Sequence, residues 1–205
     1  KAFRPYRHIR KVAVFGSART LPEKNTYKMA ISLGQNLAAS GYMVITGGGP
    51  GIMQAVHEGA GAQHSFGVNI RLPFEQKANP VMEGNPKSIT YKYFFNRKVA
   101  FLKESDAIVL FPGGFGTLDE LSEILTFNQL RISDKPLGIL NISGYFDHLL
   151  SFFDHAVEEG YVREEHRNNL IVSENISDLI RLMDQYKPLT MGKWIEDILD
   201  ESNHL

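Results

Sequence analysis

Phe111–Glu120 reads FPGGFGTLDE, and the residues on either side of it point to the type of fold. In front of it, the apolar run Ala107-Ile108-Val109-Leu110-Phe111 predicts a buried strand. Pro112-Gly113-Gly114 ends that strand, and Thr117 opens an amphipathic run through Leu118, Leu121, Ile124 and Leu125 that predicts a helix. A strand, a glycine loop and a helix start in succession make an anion site. The first N–H groups of such a helix are unpaired and its dipole favours negative charge. Gly113, Gly114 and Gly116, the last two flanking Phe115, allow a phosphate to approach the backbone closely. Glu120, three residues beyond Thr117, is expected to place a carboxylate at the same mouth.

Working outward, the same succession occurs again upstream. An expected strand, Tyr42–Thr46, runs into Gly47-Gly48-Gly49-Pro50-Gly51, and an expected helix follows over Ile52–Gly61. Before it, the pattern predicts a strand over Lys11–Gly16 with a turn at Gly16-Ser17, then a helix over Leu21–Ser40 stopped by Gly41. After it come a strand over His64–Ile70, a loop over Arg71–Lys87 and a helix over Tyr91–Glu104. The strand Asp106–Phe111 and the helix Thr117–Arg131 flank the opening motif. The last third predicts strands over Leu137–Asn141 and Leu170–Val172, helices over Tyr145–Glu159 and Ile176–Tyr186, and a final helix within 191–203. Strands and helices alternate, and the strands are continuously apolar. That pattern predicts an α/β fold, a Rossmann-like doubly wound parallel sheet with helices on both faces. It forms one domain over 1–205 with its core at about 11–187. Ligands of such sheets bind beyond the carboxyl ends of strands, where Gly16-Ser17, Gly47–Gly51 and Gly113–Gly116 all fall.

Composition narrows the functional classes. A net charge of −1 over 205 residues gives no electrostatic footprint for nucleic acid or an anionic membrane. No apolar run is long enough to span a bilayer. The basic N-terminal stretch KAFRPYRHIRK is followed by no apolar segment of a secretory signal, and a start at Lys1 rather than Met leads us to expect residues upstream. The absence of cysteine excludes disulfides, thiolate metal sites and cysteine nucleophiles, and fits a cytoplasmic protein. The seven histidines show no metal-binding spacing, so no metal is expected.

Neither glycine loop carries a familiar nucleotide fingerprint. GGGPGIM lacks the third glycine of the dinucleotide motif, and no Lys-Ser or Lys-Thr closes either loop in the Walker manner. Two glycine loops at neighbouring strand ends favour a shared ligand over two unrelated tight turns. Ser17 stands ready to donate to that ligand, or to close an ordinary turn. Thr117-Leu118-Asp119-Glu120 also has the spacing of a capping box, the commoner use of Thr-x-x-Glu. On that placement the helix dipole keeps Glu120 ionised, which suits a base or a cation stabiliser better than a general acid. Arg97 and Lys98 fall at the edge of, and inside, the apolar arc formed by Phe94, Phe95, Val99, Phe101 and Leu102. They either snorkel or reach the mouth beyond the next strand, where Arg is the preferred fork for phosphate and ribose oxygens.

VFGSART, TGGGPGIMQA, YFFNRK and above all PGGFGTLDE resemble the LONELY GUY (LOG) family, whose hallmark is PGGxGTxxE, over roughly residues 12 to 171. YFFNRK and LPFEQKANP resemble its longer, bacterial-type branch. The resemblance implies a Rossmann-like fold that forms homodimers, in some members hexamers. It implies hydrolysis of the N-glycosidic bond of AMP-like nucleoside 5′-monophosphates, including N6-substituted adenine (cytokinin) nucleotides, to free base and ribose 5-phosphate, without cofactor. It places catalysis on Arg97 and Glu120. It places nucleotide binding on Gly113, Gly114, Phe115, Gly116 and Thr117, with Lys98 and Thr126 near the nucleotide, and Ser17, Gly47, Gly48 and Gly49 complete the expected set. The rival reading is a non-catalytic carrier of a nucleotide or nucleotide-derived cofactor on the same scaffold. The label of lysine decarboxylase that this family often bears does not fit the residues. Pyridoxal chemistry needs a Schiff-base lysine and a partner for the pyridinium nitrogen, and only Lys98 is a candidate for the former.

Overall fold

The computed structural model describes residues 2–71 and 78–188. Strand β1, Lys11–Phe15, is buried along its whole length. Its side chains alternate between two cores, Val12 and Val14 entering one while Ala13 and Phe15 enter the other. Strand β2, Met43–Thr46, and strand β5, Ala107–Leu110, divide in the same way. Successive side chains on a strand point to opposite faces, so a sheet covered on both sides needs apolar residues at every position. The continuous apolar runs of the sequence arise from that need.

The helices complete the two layers. Helices α1 (Asn25–Ala39), α2 (Ile52–Ala60) and α7 (Ile176–Asp184) supply Leu33, Val56 and Leu179 to one core. Helices α3 (Phe94–Glu104), α4 (Phe115–Gln129) and α5 (Asp147–Glu158) supply Phe101, Leu121 and Phe153 to the other. Strands β3 (Ser65–Ile70), β4 (Ser88–Tyr91), β6 (Leu137–Leu140) and β7 (Ile171–Ser173) extend the sheet, and α6 (Glu164–Asn168) precedes the last of them. The seven strands are all parallel, in the order β4-β3-β2-β1-β5-β6-β7. The expected doubly wound α/β fold is therefore what forms.

Three local expectations are corrected. Strand β4, SITY, lay unrecognised between the expected loop and helix; it is a short edge strand, only partly buried, and has no continuous apolar run to announce it. Helix α3 accordingly starts at Phe94, not Tyr91. Helix α4 starts at Phe115, two residues before Thr117. The expected helix within 191–203 lies outside the described residues, as does part of the expected loop Arg71–Lys87.

The strand order places a switch point beside β1. From β1 the chain steps outward through β2, β3 and β4, then returns to β5 on the other side of β1. The connection after β1 leads to α1 on one face and that after β5 leads to α4 on the other. Such a divergence opens a crevice at the carboxyl ends of the two strands.

Helices α1 and α2 lie close enough that neither tolerates a side chain at their crossing. A Cβ on Gly59 would stand 2.0 Å from the Ile31 carbonyl oxygen, and one on Gly34 would stand 2.3 Å from that of Val56. Ala has the better helix propensity by roughly 0.5–1 kcal/mol, but forcing atoms into a packed interface costs about 1–3 kcal/mol. Overpacking against rigid backbone wins. Gly59→Ala is therefore expected to lower the free energy of unfolding, measured by urea denaturation, by about 1–2 kcal/mol.

Candidate active site

Helix α4 begins immediately past the glycine loop, with Gly114 in extended conformation as its N-cap. Thr117 is thus the third helical residue and not the cap, and its hydroxyl folds back on Gly113, where a Cβ would stand 2.1 Å from Oγ1. This removes the capping-box reading of Glu120. The N–H groups of Thr117 and Leu118 donate to the Gly114 carbonyl at 3.0 and 3.1 Å. Among the described residues, those of Phe115 and Gly116 donate to no carbonyl outside the helix, and they lie in its first, unpaired turn. Positions Gly114 and Gly116 open onto free space, and Phe115 is exposed. The loop is therefore bare backbone, and its Gly113 and Gly114 line the crevice at the switch point.

That crevice, about 370 Å3, lies at the switch point and is lined by Ser17, Arg19, Lys24, Gly113, Gly114 and Tyr145. Ser17 Oγ accepts from the Arg19 N–H at 3.0 Å, which curls the loop after β1 and carries Arg19 toward the crevice. The Tyr145 hydroxyl donates to the Gly113 carbonyl at 2.7 Å, steadying the glycine loop from the other side. Arg19, Lys24 and Tyr145 escaped the sequence reading. Arg19 lies within the VFGSART stretch and could have been found there, whereas Tyr145 is brought in from beyond β6 by the fold alone.

Arg97 and Glu120 come from facing helices. Arg97 Nε donates to the Val68 carbonyl at 2.9 Å, and its guanidinium lies 5.7 Å and 5.3 Å from the ring centres of Phe94 and Phe101. A Cβ on Gly47 would stand 2.4 Å from Arg97 Nη2, so the second loop lies directly against this side chain. Burial lowers the Arg97 pKa, and the charge of Glu120 pushes it back up. Glu120 itself is only 5% exposed. Burial raises its pKa to about 7; Lys98 and Arg97 pull it down while Glu123 and Asp119 push it up. Against the expectation that the helix dipole keeps Glu120 ionised, desolvation outweighs the favourable charges of Lys98 and Arg97 and leaves its pKa near neutrality.

Lys98 bridges the two helices, with Nζ at 2.8 Å from Asp119 and 3.3 Å from Glu123. Burial works against its charge, but Asp119, Glu120 and Glu123 outweigh that and raise its pKa. A lysine held so firmly as an ammonium is poorly suited to form a Schiff base, which needs the neutral amine. Asp119 and Glu123 serve as its counter-ions.

The second glycine loop is pinned from below. Gly48 has φ of +74° and its N–H donates to Thr46 Oγ1 at 3.0 Å. Gly48 and Gly49 carbonyls accept from the backbone N–H and side-chain Nδ2 of Asn79 at 2.8 and 3.0 Å. Thr126 stands apart. It lies nine residues along α4 from Thr117, about 14 Å at 1.5 Å per residue, and its hydroxyl donates to the Ser122 carbonyl at 2.8 Å beside a separate cavity of about 220 Å3. Within one chain it does not join the mouth. Among the described residues, no cluster of three or more His, Asp or Glu is placed to hold a metal ion, and no helix is long and apolar enough to cross a membrane.

Comparison with known proteins identifies the family. A family model described as "Possible lysine decarboxylase" matches residues 50–183. A rice (Oryza sativa subsp. japonica) protein named probable cytokinin riboside 5′-monophosphate phosphoribohydrolase LOGL2 is 36% identical over 185 residues, which cover 88% of this chain and 74% of the rice protein. The Arabidopsis thaliana cytokinin riboside 5′-monophosphate phosphoribohydrolase LOG3 is 35% identical, covering 88% of this chain and 84% of its own. Among solved structures, the molybdenum cofactor carrier protein of Chlamydomonas reinhardtii superposes with a TM-score of 0.60 at 20% identity, over 87% of this chain and 97% of its own, a likeness of fold. With the PGGFGTLDE loop at the head of α4 and relatives matched over most of its length, the chain belongs to the LOG family.

Proposed function

We propose that this protein is a phosphoribohydrolase that cleaves the N-glycosidic bond of AMP-like nucleoside 5′-monophosphates, releasing free base and ribose 5-phosphate. The observation that carries the reading is one helix, α4, which offers unpaired N–H groups at its head and, one turn on, the buried carboxyl of Glu120. An anion held at the first places the attached ribose near the second. The Gly113–Thr117 loop holds the 5′-phosphate through the unpaired N–H groups of its first helical turn, and Arg97 orients phosphate or ribose through its fork. As the C1′–N9 bond breaks, its electron pair goes to the base and positive charge gathers on the ribose. Ionised Glu120 stabilises that cation and aligns water. Water adds to C1′, and the proton it releases passes to Glu120 and on to the departing base.

The test is purified protein with AMP and, separately, N6-isopentenyl-AMP, with chromatography for free base. Release of base and ribose 5-phosphate is expected, and Glu120→Gln is expected to cut turnover by at least about 100-fold while AMP still binds. Tight binding without release by the wild type overturns the hydrolase and favours a carrier.

The same assignment fixes the sign of the pH dependence. Below about 7 Glu120 carries a proton and cannot stabilise the cation, so kcat/KM is expected to rise with pH through about 7. A profile flat across that range, or one falling as Glu120 ionises, contradicts the role given to its carboxylate.

We also infer that the enzyme is cytoplasmic and self-associates. Phe94, Phe95 and Val99 stand exposed on α3, and large apolar side chains grouped on one surface mark an interaction site. Sedimentation equilibrium is expected to return at least twice the 23.1 kDa of one chain; a monomer at micromolar concentration overturns this.

A further inference from the structure

His57 and Asn79 form a buried polar pair that the reaction scheme above does not use. His57 is 0% and Asn79 4% exposed. Asn79 Nδ2 lies 3.0 Å from His57 Nδ1, and the same Nδ2 donates to the Gly49 carbonyl. Since an amide nitrogen only donates, Nδ1 is the acceptor and His57 carries its proton on Nε2. Nε2 lies 3.2 Å from the Phe66 carbonyl and 3.1 Å from Thr46 Oγ1. Burial lowers the His57 pKa to about 4, while its bonds to Phe66 and Asn79 raise it, so the ring is neutral near pH 7.

These bonds converge on Arg97 from two directions. On β3, the Phe66 carbonyl faces His57 and the Val68 carbonyl, two residues on, receives Arg97 Nε. On the glycine loop, Asn79 holds the carbonyls of Gly48 and Gly49, and the adjoining Gly47 lies against Arg97 Nη2. Gly48 sits in a left-handed conformation, and a Cβ there would stand 2.3 Å from Asn69 Oδ1, so the loop lies tight against β3. Arg97 is thus set between a strand and a loop that the same two side chains tie together.

We infer that Asn79 and His57 are positioning residues for Arg97, fixing the Gly47–Gly49 loop as the wall that directs its guanidinium toward Glu120. The inference rests on the hydrolase reading for its consequence in turnover, but its geometric core does not. Glu120 is faced by Arg97 and Lys98 from α3 and by Asp119 and Glu123 from α4. Of these, only Arg97 is held by the pinned loop. Loss of the pair therefore frees the Arg97 guanidinium to shift relative to Glu120 and leaves the other three groups in place.

The experiment is a 13C NMR titration of glutamate side-chain carboxyls in the full chain, with Glu120→Gln to assign the Glu120 signal and Arg97→Ala as reference. Asn79→Ala is expected to move the Glu120 midpoint upward, in the direction Arg97→Ala moves it, and to lower kcat with AMP by about 10- to 100-fold at little-changed KM. His57→Leu, which keeps the core filled and deletes the acceptor, is expected to act alike and serves if Asn79→Ala fails to fold. His57→Gln, whose side-chain oxygen can accept from Asn79, restores both readouts. A folded Asn79→Ala or His57→Leu protein with the wild-type Glu120 midpoint overturns the inference. Absence of turnover in the wild type, with the midpoint shifts intact, overturns only the hydrolase reading.

Discussion

The backbone of Ser17 bonds to two other strand ends at once, and the site rests on that stitch. Its N–H donates to the Pro112 carbonyl at 3.1 Å, and its own carbonyl accepts from the Ile52 N–H at 3.0 Å. The loops after β1, β2 and β5 are thereby joined where the sheet reverses its direction of winding. Close approach makes the stitch possible. A Cβ on Gly51 would stand 2.3 Å from the Ser17 carbonyl oxygen, and Gly51 has φ of +67°, where a side chain is strained. Gly51 is needed because backbone packs on backbone there, whereas Gly114 and Gly116 open onto free space and leave the loop after β5 bare.

Around this stitch the structure sets cost against use. A carboxyl kept from water is driven toward its neutral form, and Glu120 is kept from water by its place on the inner side of α4. Arg97 and Lys98 recover part of that penalty, yet Lys98 is shared with Asp119 and Glu123. Glu120 is left balanced near neutrality, where small changes in surroundings alter its charge. That balance suits a group that handles a proton during a reaction. A carboxylate spent on capping its own helix has no such freedom.

The His57–Asn79 pair shows how a second set of buried polar groups serves the first. Each bond in the pair uses a donor or acceptor whose loss would leave another buried group unsatisfied, which gives the loop one arrangement instead of several. Rigidity in the Gly47–Gly49 loop is thus achieved without any side chain on the loop itself.

The fold class was legible because two faces of a parallel sheet both need covering, so each central strand announces itself as an unbroken apolar run. Strand β4 did not, since an edge strand meets that need on one side only. The glycine loops were legible for a related reason: tight backbone approach admits one residue type, which the sequence displays directly. PGGFGTLDE and YFFNRK likewise singled out Glu120 and Arg97, whose charges act on each other from α4 and α3, although neither side chain lines the crevice at Gly113 and Gly114. What the sequence left open was decided by contacts between residues far apart in the chain. Helix α4 begins at Phe115 and not at Thr117, which takes Glu120 out of a capping box, and its burial makes it an acid kept from water. Its pKa, the ion pairs of Lys98, the separation of Thr126 from the mouth and the bond from Asn79 to His57 depend on distance and burial. Those are properties of the packed molecule that no spacing along the chain contains.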